Sequence, residues 1–245
     1  MATNYGTPPI VTDGLFWRVD AQNERSNNGG GDVSSIIGST STVGFNGTKN
    51  GGITLTENLP KHYNFDGVDD YVLFASNGAI LSSNPISFYG KTTATFELWV
   101  APDYTGDSYQ RIIAKASAQG GGVGGWGILL DPVTSTWNMY VDTGTGGAAA
   151  AVGYTHALDA GKWVHIVFTK DGATWKVYEN TVLKATNTYN NTFVSTAAGF
   201  TMGTWITLST REYNGKLAVA SLYDIALTQT QIEQNYNALQ SRFGL

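Results

Sequence analysis

The chain has 245 residues, a formal charge of −5, 13% charged and 12% aromatic residues, 30 glycines and no cysteine. Lys and Arg form no cluster able to supply the basic face that nucleic-acid phosphates require, and without thiols neither disulfides nor cysteine-bound metals hold the fold. No run of about 18 apolar residues is present to cross a membrane as a helix, so nucleic-acid partners and membrane insertion are both excluded from the expectations.

Residues 1–10, with Pro8 and Pro9, are expected as an N-terminal arm, and residues 11–245 as one domain. The opening lacks the basic stretch and apolar core of a signal peptide, which predicts synthesis in a cytoplasm. The first strand is expected over 14–20, where Leu15, Trp17 and Val19 alternate with Phe16, Arg18 and Asp20. Residues 21–52, rich in Asn, Gly, Ser and Thr, form an excursion in which short strands are expected to lie, because so long a structureless loop is unusual in a compact domain. Further strands are predicted over 53–55, 64–65, 71–75, 93–100, 111–116, 127–131, 136–141, 162–170, 174–179, 181–186, 199–203 and 216–223. Alternation is clearest in WVHIVFTK, where Val164, Ile166 and Phe168 share a face. Asp171-Gly172 and Glu179-Asn180 signal turns that make a meander of three strands. At the end, Thr228 and Gln231 form a capping-box pattern, Leu227 and Ile232 a staple, and Ile232, Tyr236 and Leu239 one face of a closing helix.

Candidate chemistry is sparse. A pair of carboxylates flanking a glycosidic bond is the usual requirement for glycan hydrolysis, yet the strand TFELWV offers Glu97 alone, and the adjacent Asp69 and Asp70 read as a turn. His62, His156 and His165 are scattered and read as structural. GGGVGGWG contains a glycine pattern at Gly122, Gly124 and Gly127 but opens no helix on which a dinucleotide phosphate could sit. No catalytic residue is therefore assigned. The binding signal is aromatic residues set among Asn, Asp and Gly in loops, since sugar C–H faces pack on aromatic rings. The candidates are Tyr104, Tyr109, Trp126 and Trp205, with Asp103, Asp107 and Arg211 nearby. The alternative is that these rings plug the ends of the sandwich or face a neighbouring subunit, while Trp17, Trp99, Trp163 and Trp175 lie in strand patterns and are expected to pack.

Three segments, YNFDGVDDYVLF (63–74), GKWVHIVFTKDGATWKVYEN (161–180) and NGKLAVASLYDIALTQTQIEQNYNAL (214–239), together resemble the LamG-like jelly roll of the concanavalin A-like lectin/glucanase superfamily. The resemblance implies an all-β, two-sheet antiparallel sandwich with one short C-terminal helix. It also implies a structural calcium near the FDG turn, held by Asp66, Asp69 and Asp70, although the closing-strand position that often supplies a further Asp is Ala218 here; no other cofactor is expected. The glucanase E-x-D-x-x-E strand is missing. The start TDGLFWRVDAQN further resembles LamG-like domains of tailed-bacteriophage structural proteins. What this implies is a non-enzymatic virion component, decorating a capsid or belonging to a tail or fibre, with self-association and other virion proteins as partners. The alternative is a lectin module or adhesin recognising a cell-surface polysaccharide.

Overall fold

The computed structural model describes residues 9–27, 32–37, 42–76, 79, 82–106, 109–116, 125–142, 148–156, 159–194, 199–205 and 211–245. These residues form strands β1 (Leu15–Asp20), β2 (Asp32–Ser34), β3 (Asn46–Asn50), β4 (Thr54–Leu55), β5 (Tyr63–Asp66), β6 (Tyr71–Ala75), β7 (Thr93–Pro102) and β8 (Gln110–Ala116). They continue with β9 (Gly125–Asp131), β10 (Thr136–Asp142), β11 (Ala148–Thr155), β12 (Val164–Asp171), β13 (Thr174–Glu179), β14 (Val182–Thr188), β15 (Phe200–Met202) and β16 (Asn214–Tyr223), and end in helix α1 (Gln229–Phe243).

Two antiparallel sheets of eight strands face each other. The first runs β14-β13-β12-β7-β16-β5-β4 with β1 also paired to β16, and the second runs β11-β10-β9-β8-β15-β6-β3-β2. Alternation dictates which residues meet between them. Phe96, Ile166, Phe168 and Trp175 of the first sheet and Phe74, Trp126, Ile128, Trp137 and Phe200 of the second point into one core. Aromatic rings dominate it in edge-on and tilted contacts: Trp17 lies 5.3 Å from Phe200 and 5.4 Å from Phe74, and Phe96 lies 4.9 Å from Trp126. Gly47 of β3 permits the close approach of Phe74, whose ring would stand 2.6 Å from an added Cβ.

The meander β12-β13-β14 forms as the sequence predicts. Asp171 pairs with Thr174 around Gly172, and Glu179 pairs with Val182 around Asn180 and Thr181, both at positive φ as a primed turn requires. Helix α1 carries the capping box in full, with Thr228 and Gln231 exchanging bonds, and ends at Gly244 in the left-handed region. Ile232 packs with Leu227, Val167 and Tyr223, while Tyr236, Leu239 and Phe243 pack on Trp99 and Ala218, so the helix covers the outer face of the first sheet. The end of the expected arm is part of this layer: Gln234 Nε2 donates to the Pro9 carbonyl and the Val11 amide donates to Asn235 Oδ1, each at 2.7 Å.

Candidate functional site

The outer face of the first sheet is polar but closed. Glu97 Oε1 is 2.8 Å from His165 Nε2, while Glu97 Oε2 accepts from Asn235 Nδ2 at 3.0 Å and Tyr223 Oη at 3.2 Å. Arg18 donates to Ser221 Oγ and Asp20, and Arg242 of α1 donates to the other oxygen of Asp20 at 2.7 Å. Burial by itself would raise the Glu97 carboxyl, but the bond and charge of His165, with Arg18 and Tyr223, outweigh it and hold Glu97 below the usual glutamate range. With its side chain 1% exposed, Glu97 ties the helix and the N-terminal segment to the sheet and is out of reach of any substrate. His165 is fully buried between β7 and α1. His62 and His156 are also engaged, with the Pro60 carbonyl and Glu179 respectively.

The outer face of the second sheet carries a different arrangement. Pairing of Arg111 with Leu129 and of Ala114 and Tyr140 with Gly127 places these residues on the face turned away from the core. Trp205, three residues past β15, packs on Leu73 and on Arg111, whose Cζ is 4.4 Å from the indole centroid. Arg111 is also 5.7 Å from the Tyr140 ring. Arg211, three residues before β16, has its Cζ 5.4 Å from the Tyr109 ring and 5.9 Å from Trp205, and its carbonyl accepts from the Arg111 amide at 2.9 Å. Three of the predicted residues, Tyr109, Trp205 and Arg211, are thus brought together, and Arg111 and Tyr140 complete the group.

The local backbone is bent to achieve this. Tyr109 and Arg211 adopt φ of 61° and 67°. Each such non-glycine residue costs of the order of 1–3 kcal/mol, a strain that concentrates at binding and catalytic sites. Arg111 is almost fully buried; burial, with Arg211 close by, pushes its guanidinium down to about 9. Its Nη1 donates to the Tyr109 carbonyl at 2.9 Å, whereas its Nε is buried with no partner. Among the described residues no carboxylate oxygen lies within 4.0 Å of either guanidinium.

The other predicted residues lie elsewhere. Trp126, expected in a glycine loop, stands in β9 at 2% exposure, donates Nε1 to the Ile86 carbonyl at 2.9 Å and faces the core, so it is corrected from a ligand platform to a packing residue. Its place in the alternation of GWGILLD with Ile128 and Leu130 is the physical reason. Tyr104 is half-buried against the core, its ring 6.1 Å from His156, and Asp103 is tied through its amide to the Asn214 carbonyl. Asp107 lies outside the described residues. Beside Tyr104, Tyr154 Oη donates to Glu179 Oε2 at 2.6 Å and His156 Nδ1 meets the same oxygen, a tie between β11 and β13. Burial would raise Glu179, but these two hydrogen bonds and the charges of His156 and Lys184 hold it below its ordinary value.

At the FDG turn, the carboxylates of Asp66, Asp69 and Asp70 approach within 4.8 Å of one another. Asp70 spends its two oxygens on the amides of Gly52 and Asp66, and Asp66 Oδ1 accepts from Val68 and Asp69. Opposite the turn, β16 presents Asn214, while Ala218 is buried under α1. The carboxylates already close the turn, and β16 adds no acid to them.

Arg111 and Tyr140 escape the sequence reading because both sit in strands rather than loops. An arginine heading the apolar run RIIA was the available signal, since such a side chain is buried only when it stacks or pairs.

Comparison with known proteins agrees with this architecture. Residues 66–233 match the model of the concanavalin A-like lectin/glucanases superfamily. No protein of curated function matches the chain by sequence. Among solved structures, it is similar to domain 4 of AbnA, an extracellular arabinanase of Geobacillus stearothermophilus, in complex with arabinotriose, with 19% identity and a TM-score of 0.63 over 91% of this chain and 98% of that one. The binding domain of botulinum neurotoxin DC in complex with SialylT is 13% identical with a TM-score of 0.67, covering 93% of this chain and 52% of its own. A Trypanosoma rangeli sialidase in complex with 2,3-difluorosialic acid is 16% identical with a TM-score of 0.64, covering 95% of this chain and 34% of its own. At these identities the likeness is one of fold.

Proposed function

The chain belongs to the concanavalin A-like lectin/glucanases superfamily, and from that premise we propose that it is a carbohydrate-binding module rather than an enzyme, with its site on the outer face of the second sheet. The observation that carries the reading is the convergence of Tyr109, Tyr140 and Trp205 on that face, with Tyr109 40% exposed and Tyr140 half-buried. Rings held at the rim of a rigid sheet offer the apolar faces on which sugar C–H groups stack. The AbnA domain and the neurotoxin binding domain, both solved with sugars, support a binding role for the fold. Against catalysis stands the burial of Glu97, the acid on the central strand β7, beneath α1. A glycan array probed with the full chain tests the proposal: binding to a defined set of glycans, lost in the Tyr109→Ala/Tyr140→Ala double variant and kept in Leu59→Ser at an exposed turn beside α1, is expected. A blank array overturns it.

A particle-component role draws on another surface. The residues behind the bacteriophage resemblance serve the fold itself: Thr12 accepts from the Leu15 amide, Asp20 holds Arg18 and Arg242, and Asn23 caps a short 3-10 turn. What favours assembly is edge strand β14, which exposes Val182 and Leu183 at 58% and 46%. Sedimentation showing an oligomer that Val182→Lys dissociates would support this second reading, and a monomer at all concentrations would oppose it.

A further inference from the structure

The two arginines of the site are an unusual pair. They converge on one indole from two elements, Arg111 from β8 and Arg211 from the loop before β16, and their charges repel. Buried charge in a folded chain is normally matched by an opposite charge and by hydrogen bonds to its donors. Here the aromatic rings supply part of that compensation through their π faces. They supply nothing to the N–H edges. Arg111 keeps its Nε without an acceptor, and no carboxylate of the described residues reaches either guanidinium.

The contrast with Arg18 and Arg242 is direct, because both of those meet Asp20 under α1. A guanidinium offers a planar fork of donors that matches a carboxylate in two parallel bonds. The surrounding rings of Tyr109 and Tyr140 suit a sugar ring, so the chemistry of one ligand answers both halves of the site.

Building on the carbohydrate-binding reading, we infer that the ligand is an acidic glycan whose sugar carboxylate pairs with the partly exposed Arg211 at the rim, with the buried charge of Arg111 behind it, while its ring stacks on Tyr109 and Tyr140. Sulfate esters share the negative charge but are tetrahedral, and the planar fork and flanking rings favour the carboxylate. The second charge accounts for Arg111 being kept in a buried position where an apolar residue would pack at lower cost. It also predicts that binding weakens as salt is raised, the partly exposed Arg211 being the more strongly screened of the two.

The test uses the full chain and matched probes: 3′-sialyllactose against lactose, and trigalacturonic acid against its carboxyl-reduced form, titrated by calorimetry. At least one acid probe is expected to bind, about tenfold or more tighter than its neutral counterpart, the loss of a charge-assisted pair being of that size. Arg211→Gln should abolish the difference while keeping wild-type near-ultraviolet circular dichroism, and Arg211→Lys should restore part of it. Equal binding of acid and neutral members, or binding of sulfated oligosaccharides alone on the array, overturns the inference and leaves the glycan-binding reading standing. An array blank for acidic and neutral glycans alike overturns both.

Discussion

The outer faces of the two sheets are built from similar residues and solve opposite problems. On the first sheet, Arg18, Asp20, Glu97, His165 and Tyr223 are sealed beneath α1, and each charge has its partner within the chain. On the second, Arg111, Arg211, Tyr140 and Trp205 stack on one another with no acid of the described residues within reach. A polar network that closes on itself serves cohesion. One in which no acid of the described residues meets the arginines leaves charge for a partner from outside, and there the backbone at Tyr109 and Arg211 sits at positive φ.

The largest effect should come from breaking the closed face. Glu97→Ala leaves His165, Tyr223 and Asn235 without their shared acceptor and is expected to cost about 3–5 kcal/mol in urea unfolding, the range for removing one member of a buried charged network. A loss below about 1 kcal/mol would mean that the network is not what holds α1 in place.

Acid should act on the same side of the comparison. Glu97 and Glu179 are both held below the usual glutamate value of about 4.5, so as pH falls the unfolded chain takes up their protons first. Their contribution is therefore complete above about 4.5 and is lost as pH drops through the folded-state values. Asp70 has the opposite sign, since burial raises it above 3.8, and its protonation returns part of the loss. Thermal melts from pH 7 downward should show the midpoint falling below about pH 4.5, with a shallower slope in Glu97→Gln; an unchanged slope would remove Glu97 from the account.

These particulars show how far the sequence reaches. The helix was legible because capping is local chemistry: Thr228, Gln231 and the staple Leu227–Ile232 all sit within one turn of each other. So were β12 and its turns, through alternation. Strand β11, with its run of alanines and a glycine, has too little contrast between its faces to announce itself, and β2 and β3 hide in a polar excursion because pairing, of β3 with β6 and of β2 with β3, rather than apolar content makes them strands. Of the candidate site, aromatics in polar loops and their neighbours gave Tyr109, Trp205 and Arg211. The same rule misplaced Trp126, which strand alternation claims for the core, and missed Arg111 and Tyr140, whose approach depends on sheet register across β8, β9 and β10.

Smaller effects sharpen the contrast. Thr228→Ala removes the cap of the covering helix and should cost about 1 kcal/mol in the same unfolding assay, with glycan binding unchanged. Arg111→Met retains the buried stem, removes an unpaired charge and is expected to shift stability by less than about 1 kcal/mol in either direction while abolishing discrimination for the acid glycan. A large destabilisation by Arg111→Met would instead make the stacked arginines a structural device, like those under α1.

The most direct measurement follows the indole and arginine Nε–H resonances of the labelled protein by NMR during titration with the acidic oligosaccharide that binds and with its carboxyl-reduced form. The account predicts that the Trp205 indole and Arg111 Nε–H signals move with the acid form and not with the neutral one, while Trp99, stacked on Phe243 at 4.4 Å beneath α1, stays still. Shifts confined to Trp99 or Trp163, or none at Trp205, would contradict it.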